Sequence, residues 1–199
     1  MHGVHPVAPT SEDLLNQDAI RAQVRERYRE VVGRLTAVAN SIYAPAELAG
    51  LPRGAVEGAL GVNHPVRYAQ LALGEVVLDL GCGAGIDTLL TARAVGPSGR
   101  AIGLDTLPEM LARAADHARE AALANVQWLR GELEAIQLPD ASVDVAISNG
   151  VMNLVPRKAR AFAEVFRVLR PGGRVALADI VLDEELPPEV MTDPDAWAG

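Results

Sequence analysis

The chain has 199 residues, 49% of them hydrophobic, which fits one globular domain with a sizeable core. Its formal charge of -8 argues against a nucleic acid as main partner, since such binding draws on concentrated Lys and Arg, although a local basic patch stays open. A single cysteine, Cys82, excludes an intrachain disulfide and any multi-cysteine metal site built from this chain alone.

Residues 1–17 are polar and Pro-containing and read as a mobile tail. The opening MHGVHPVAPTSED lacks the basic and then apolar pattern of a signal peptide, and every long apolar run is of strand length. The expectation is a cytoplasmic protein with no membrane attachment. Residues 18–72 form an N-terminal helix and a covering segment. Ile20, Val24, Tyr28, Val31, Val32 and Leu35 recur at helical spacing and predict an amphipathic helix over residues 18–39. Pro45, Pro52, Gly54, Gly58, Gly61 and Pro65 break residues 40–72 into loop and short helices, expected to lie against a ligand face.

Residues 73–199 make the core unit, in which strands and helices alternate. Strands are predicted over residues 76–80, 100–104, 126–129, 143–148 and 174–181. A helix is expected near residues 85–95. A second is opened by a Thr106/Glu109 capping box with Pro108 in its first turn and runs to about Leu123. A third, over residues 157–169, should bury Phe162, Val165, Phe166 and Leu169 before Arg170-Pro171-Gly172-Gly173 turns the chain. This alternation predicts an α/β fold, a doubly wound, Rossmann-like parallel sheet with ligands at the carboxyl ends of its strands.

The first of these ends carries the sequence VVLDLGCGAGI, an apolar strand followed by Gly81, Gly83 and Gly85 and then a helix. Glycines there allow positive φ and close approach of a ligand to the backbone, which points to a nucleotide-type cofactor. A dinucleotide fingerprint needs a small residue where the chain has Ile86. Asp79 would also repel a pyrophosphate, but it suits a ligand amino group, directly or through water. Asp105 ends the second strand 20 residues beyond Gly85, where a carboxylate can accept both ribose hydroxyls; the bland alternative is an exposed Asp before a helix. Thr106 and Leu107 would border the adenine, with Leu107 equally readable as core. After the third strand come Glu132, suited to the adenine amino hydrogens unless merely solvated, and Leu133. Asn149 follows the fourth strand, where cofactor and substrate should meet, while Asn153 reads as a cap before Pro156. His64 is the best candidate for a general base and His117 reads as a surface residue; no catalytic residue is assigned.

The DxGxGxG pattern resembles the class I S-adenosylmethionine-dependent methyltransferases. DLGCGAG, the strand end at Asp105, GELEAIQLP, ISNGVMNL and FRVLRPGGRVALADIV follow that family's order and spacing. The last three, with Pro108, Glu109 and Met110 after Asp105, look most like the arsenite methyltransferase branch, and the resemblance runs from about Val24 to Gly199. It implies S-adenosylmethionine bound by Asp79, Gly81, Gly83, Asp105, Glu132 and Asn149, with Cys82, Thr106, Leu107 and Leu133 in the same loops and Tyr28 over the methionine end. The implied activity is methyl transfer to a small-molecule nucleophile.

Several positions depart from that branch. Gly150 and Val62 stand where arsenite methyltransferases typically carry cysteine, and the stretch around Ser41 and Ile42 has none. One thiol cannot make the three-sulfur site that soft trivalent arsenic requires. Strands six and seven, usual in class I enzymes, are not visible, which leaves truncation, a missing C-terminal domain or a homodimer open. Arsenite methylation stays as an alternative activity. So does a catalytically silent cofactor-binding subunit with a regulatory or assembly role, and a nicotinamide oxidoreductase is the weakest reading because of Ile86.

Overall fold

The computed structural model describes residues 17–31, 37–181 and 183. Helix α1 (Gln17–Val31) is followed by four short helices, α2 (Val38–Ile42), α3 (Pro45–Leu48), α4 (Arg53–Glu57) and α5 (Pro65–Tyr68). The long helix expected over residues 18–39 is therefore two helices with residues 32–36, which hold Val32 and Leu35, outside the description. Proline at the first position of both α3 and α5 explains why these helices start where they do: φ is already set and no N–H is wasted.

The core alternates as the sequence predicts: β1 (Val76–Leu80), α6 (Ile86–Val95), β2 (Arg100–Asp105), α7 (Pro108–Glu120), β3 (Val126–Arg130), β4 (Val143–Asn149), a 3-10 turn (Met152–Leu154), α8 (Lys158–Val168) and β5 (Leu169–Ala178). All pairings are parallel in the order β3-β2-β1-β4-β5. The order reverses direction between β1 and β4, the crevice where α/β sheets bind ligands. Strand β1 is central and buried after its first residue, which is why it reads as a continuous apolar run. On one face Leu78, Leu80, Ile102 and Leu104 pack with Val165 and Val168 of α8. On the other, Val77, Val145 and Ile147 pack with Val95 of α6 and Ala69. Each fully buried aliphatic side chain contributes about 1.5–3 kcal/mol of transfer free energy.

Four local expectations are corrected. The Thr106/Glu109 capping box does not form: Leu107 is the N-cap of α7 and no side chain caps it. Asp105 Oδ1 instead accepts the Leu107 N–H at 2.9 Å, a local turn that leads the chain from β2 into the helix. Phe162 and Phe166 are 46% and 82% exposed, because α8 turns its Ala161, Val165 and Val168 stripe to the sheet. His117 is buried against the backbone, its Nδ1 lying 2.9 Å from the Ala84 carbonyl. Pairing of β5 begins at Leu169 rather than Arg174. Leu169 pairs with Val143 and Arg174 with Val145, so Arg170 to Gly173 bulge out opposite Asp144.

Among the described residues no helix is long and apolar enough to cross a membrane.

Candidate functional site

A cavity of about 150 Å³ opens at the carboxyl ends of β1, β2, β3 and β4. Its lining includes all eleven residues singled out from sequence: Tyr28, Asp79, Gly81, Cys82, Gly83, Asp105, Thr106, Leu107, Glu132, Leu133 and Asn149. The three glycines of the first turn have three different reasons to be glycine. All have positive φ, but a Cβ at Gly81 would meet Val151 at 2.5 Å, and one at Gly85 would meet Ala114 at 3.0 Å and Trp128 at 3.2 Å. At Gly83 a Cβ would meet nothing within 4 Å, so this glycine alone leaves bare backbone facing open space.

The turn is pinned to the neighbouring strand. Gly81 and Cys82 both donate N–H groups to the Leu104 carbonyl, at 2.8 and 2.9 Å, and the Gly83 N–H reaches Asp105 Oδ2 at 2.9 Å. Asp105 thus joins the glycine turn to the start of α7. Burial pushes its carboxyl above the usual range, opposed by backbone N–H groups from Leu107, Gly83 and Thr106. A carboxylate has about four lone-pair sites, so these three contacts leave about one acceptor site for a ligand.

Asp79 at the end of β1 is 2% exposed and accepts the Thr88 hydroxyl at 2.5 Å. The Thr88 N–H points at it as well, so Asp79 also caps the first turn of α6. Burial first, and neighbouring Asp87 second, push the Asp79 carboxyl up to about 8. Asp87, which the sequence reading passed over, also lines the cavity and is 5% exposed. Its Oδ1 accepts the Tyr43 hydroxyl at 2.8 Å and its Oδ2 the Asn149 amide at 2.9 Å. Burial raises its carboxyl too, while those two donors and His64 work against the rise. The Tyr43 phenol is raised well beyond its ordinary value by burial and by Asp87.

Asn149 occupies the expected place at the end of β4, but its side chain faces protein. Its Oδ1 accepts the Val62 and Asn63 N–H groups at 2.8 and 3.0 Å, and its Nδ2 donates to the Asn63 carbonyl at 2.6 Å. The amide works like a strand of backbone, fastening residues 61–64 of the covering segment over the cavity. Gly61 makes room for it. His64 lies just behind, 3% exposed and absent from the cavity wall, with Nε2 3.0 Å from Glu47 Oε1 and its ring against Tyr43 at 4.5 Å. That position does not suit the general-base role considered from sequence. Asn153 donates its N–H to Asp179 Oδ2 at 2.9 Å rather than capping through its side chain.

Helix α1 closes one side. Arg25 pairs with Glu132, and Arg21 with the buried Glu134 at 2.8 Å. The Arg157 N–H also reaches Glu134, at 3.3 Å. Helical spacing puts Arg21, Arg25 and Tyr28 on one face of α1, and that was the available signal for these partners. Five carboxylates, Asp79, Asp87, Asp105, Glu132 and Glu134, face this cavity with two arginines, an electrostatic preference for a cationic ligand. Cys82 contributes no anion: burial above all, and then Asp105 and Asp79, hold its thiol well above its ordinary pKa.

The methyltransferase domain family matches residues 72–199. An arsenite methyltransferase from Halobacterium salinarum is 45% identical over 157 residues, covering 79% of this chain and 40% of that protein. The crystal structure of an arsenic(III) S-adenosylmethionine methyltransferase from Chlamydomonas reinhardtii has a TM-score of 0.57 at 29% identity, covering 86% of this chain and 52% of that one. A S-adenosylmethionine-dependent methyltransferase from Aquifex aeolicus has a TM-score of 0.56 at 25% identity, covering 76% and 77%. The chain spans 40% and 36% of the first two curated relatives it matches.

Proposed function

The chain belongs to the methyltransferase domain family, and we propose that it binds S-adenosylmethionine in this cavity and transfers its methyl group to a small-molecule nucleophile. The observation that carries the reading is the bare backbone of Gly83, open to the cavity beside two strand-end carboxylates, the buried Asp79 and the half-buried Asp105. Bound S-adenosylmethionine supplies a methyl group already activated by its sulfonium, so the protein's task is alignment and exclusion of water. Asp105 would take a ribose hydroxyl and Asp79 the ammonium group. Glu132 would take the adenine amino group, and Leu107 and Leu133 the faces of the ring. Tyr28, on α1, covers the opposite side. Calorimetry tests this directly: S-adenosylmethionine and S-adenosylhomocysteine bind, NAD(P)H does not, and absence of binding by both adenosyl ligands refutes it.

Trivalent arsenic is the acceptor suggested by the names of the relatives, and the sulfur content of the chain argues against it. Arsenic(III) is held by thiolates, and the one cysteine is buried with its thiol protonated. The positions that the resemblance associates with cysteine hold Val62 and Gly150. A Cβ built on Gly150 would lie 3.4 Å from Val62 Cγ1, so the two positions adjoin and neither carries sulfur. We therefore assign an acceptor that needs no thiolate cradle. An assay with arsenite and glutathione decides: methylated arsenic at ordinary turnover would overturn the assignment.

A further inference from the structure

Two carboxylates, Asp79 and Asp87, stand in the wall of one cavity and both are almost fully buried. The groups facing them come from every element packed around the site. Asp79 meets the hydroxyl and N–H of Thr88 on α6, with Asp105 of β2 and the Cys82 thiol of the glycine turn nearby. Asp87 meets Tyr43 of the segment after α2 and Asn149 of β4, and it feels His64, whose Nε2 is turned to Glu47. Among these neighbours every donor that touches either acid is neutral, and among the described residues no Lys or Arg hydrogen-bonds to Asp79 or Asp87. Neutral donors can hold one carboxylate in place. They cannot offset two like charges sharing a low-dielectric cavity, so the first ionisation raises the cost of the second.

The S-adenosylmethionine reading supplies the missing positive charge, and the inference rests on that reading. We propose that Asp79 and Asp87 titrate as one dyad that retains a proton in the free protein and loses it to solvent when the cofactor's ammonium group enters. The step balances. A carboxylic acid O–H bond breaks, the proton passes to buffer, and the resulting carboxylate pairs with an ammonium group that keeps its own protons. Asp87 touches no ligand in this scheme. It is a positioning residue, fixed by Tyr43 and Asn149, whose charge sets the pH at which Asp79 becomes a cofactor-binding anion.

The test is calorimetric titration of the full chain with S-adenosylmethionine in buffers of small and large ionisation enthalpy, from about pH 5 to about pH 9. The expected result is release of up to about one proton per cofactor bound near neutral pH. In Asp87→Asn the midpoint of that release moves down by at least ~1 pH unit, because the like charge is gone. A merely structural role for Asp87 would change affinity without moving this midpoint. Binding heats that do not depend on buffer, or an unmoved midpoint in Asp87→Asn, overturn the dyad while leaving cofactor binding intact. Absence of any binding heat instead overturns the cofactor reading and the release step together. Infrared titration of the free protein then decides the dyad by itself: a carboxylic acid band that persists to neutral pH, and titrates lower in Asp87→Asn, supports it, and absence of that band overturns it.

Discussion

Substituting Gly61 by alanine is expected to cost far more than an exposed Gly→Ala change, because the new methyl would occupy the space of a neighbouring amide. An ideal Cβ at Gly61 lies 2.2 Å from Asn149 Nδ2, 2.5 Å from Cγ and 2.8 Å from Oδ1. The Gly61 backbone itself has no positive φ, so alanine fits the chain and only the amide must move. Leaving its place, the Asn149 side chain gives up the Val62 and Asn63 N–H groups, the Asn63 carbonyl and Asp87 Oδ2. Water can replace the contacts at the exposed loop, but Asp87 is buried, and leaving its Oδ2 without a donor costs about 1–3 kcal/mol even though Tyr43 still holds Oδ1. With a few tenths for each loop contact the total is about 2–4 kcal/mol, or roughly 5–15 °C in Tm for a chain of this size. Asn149→Ala should lose a similar amount. The double variant should be no worse than Asn149→Ala alone, since the obstacle to the methyl is gone; urea unfolding of all four proteins measures the cycle. Additive losses would refute the argument that the amide is what excludes a side chain at Gly61.

Asp105→Ala should weaken S-adenosylmethionine binding at least tenfold, about 1.4 kcal/mol, by calorimetry; unchanged affinity would place the ribose contact elsewhere. The free protein should lose stability as pH rises from the ordinary Asp range toward about 8, since the folded state binds the Asp79 proton more tightly than the unfolded chain does. Each such proton contributes at most about 1.4 kcal/mol per pH unit, and Asp79→Asn should reduce the slope in denaturant titrations at several pH values. Phe166→Ser should change stability by no more than about 0.5 kcal/mol, as its ring lies in solvent; a larger loss would mean that this face of α8 is covered.

Much of the sheet was legible because β1 and β4 are largely buried on both faces and spell mostly apolar runs, Val76–Leu78 and Val145–Ile147, with Asp and Gly close to their ends. Site residues at strand ends were legible for the same reason: once the strands are placed, Asp79, Asp105, Glu132 and Asn149 can only lie at one edge. Side-chain direction was not. On α8 the phenylalanines weigh more in any apolar count than Ala161, yet a small residue is what lets the helix approach the sheet. His117 looked like a surface residue because helix periodicity says nothing of the Ala84 carbonyl arriving from another loop. Asn149 was legible as a residue at the edge of the site, but the partners of its amide were not, since they lie 86 and 87 positions away in sequence. Asp87 escaped notice since an Asp in a first helical turn normally needs no explanation beyond the helix dipole.

Cys82 ends with a use that its chemistry alone does not suggest. Its sulfur fits over Gly103, where a Cβ would come within 2.9 Å of Sγ and 2.5 Å of the Trp128 ring, so it is packed between the glycine turn and β2 at 8% exposure. As the sole thiol of the chain it can react with a labelling reagent only when that packing opens. Its labelling rate is therefore a built-in clock for the opening of the site, readable without adding a probe, and any ligand that settles on the turn should slow it.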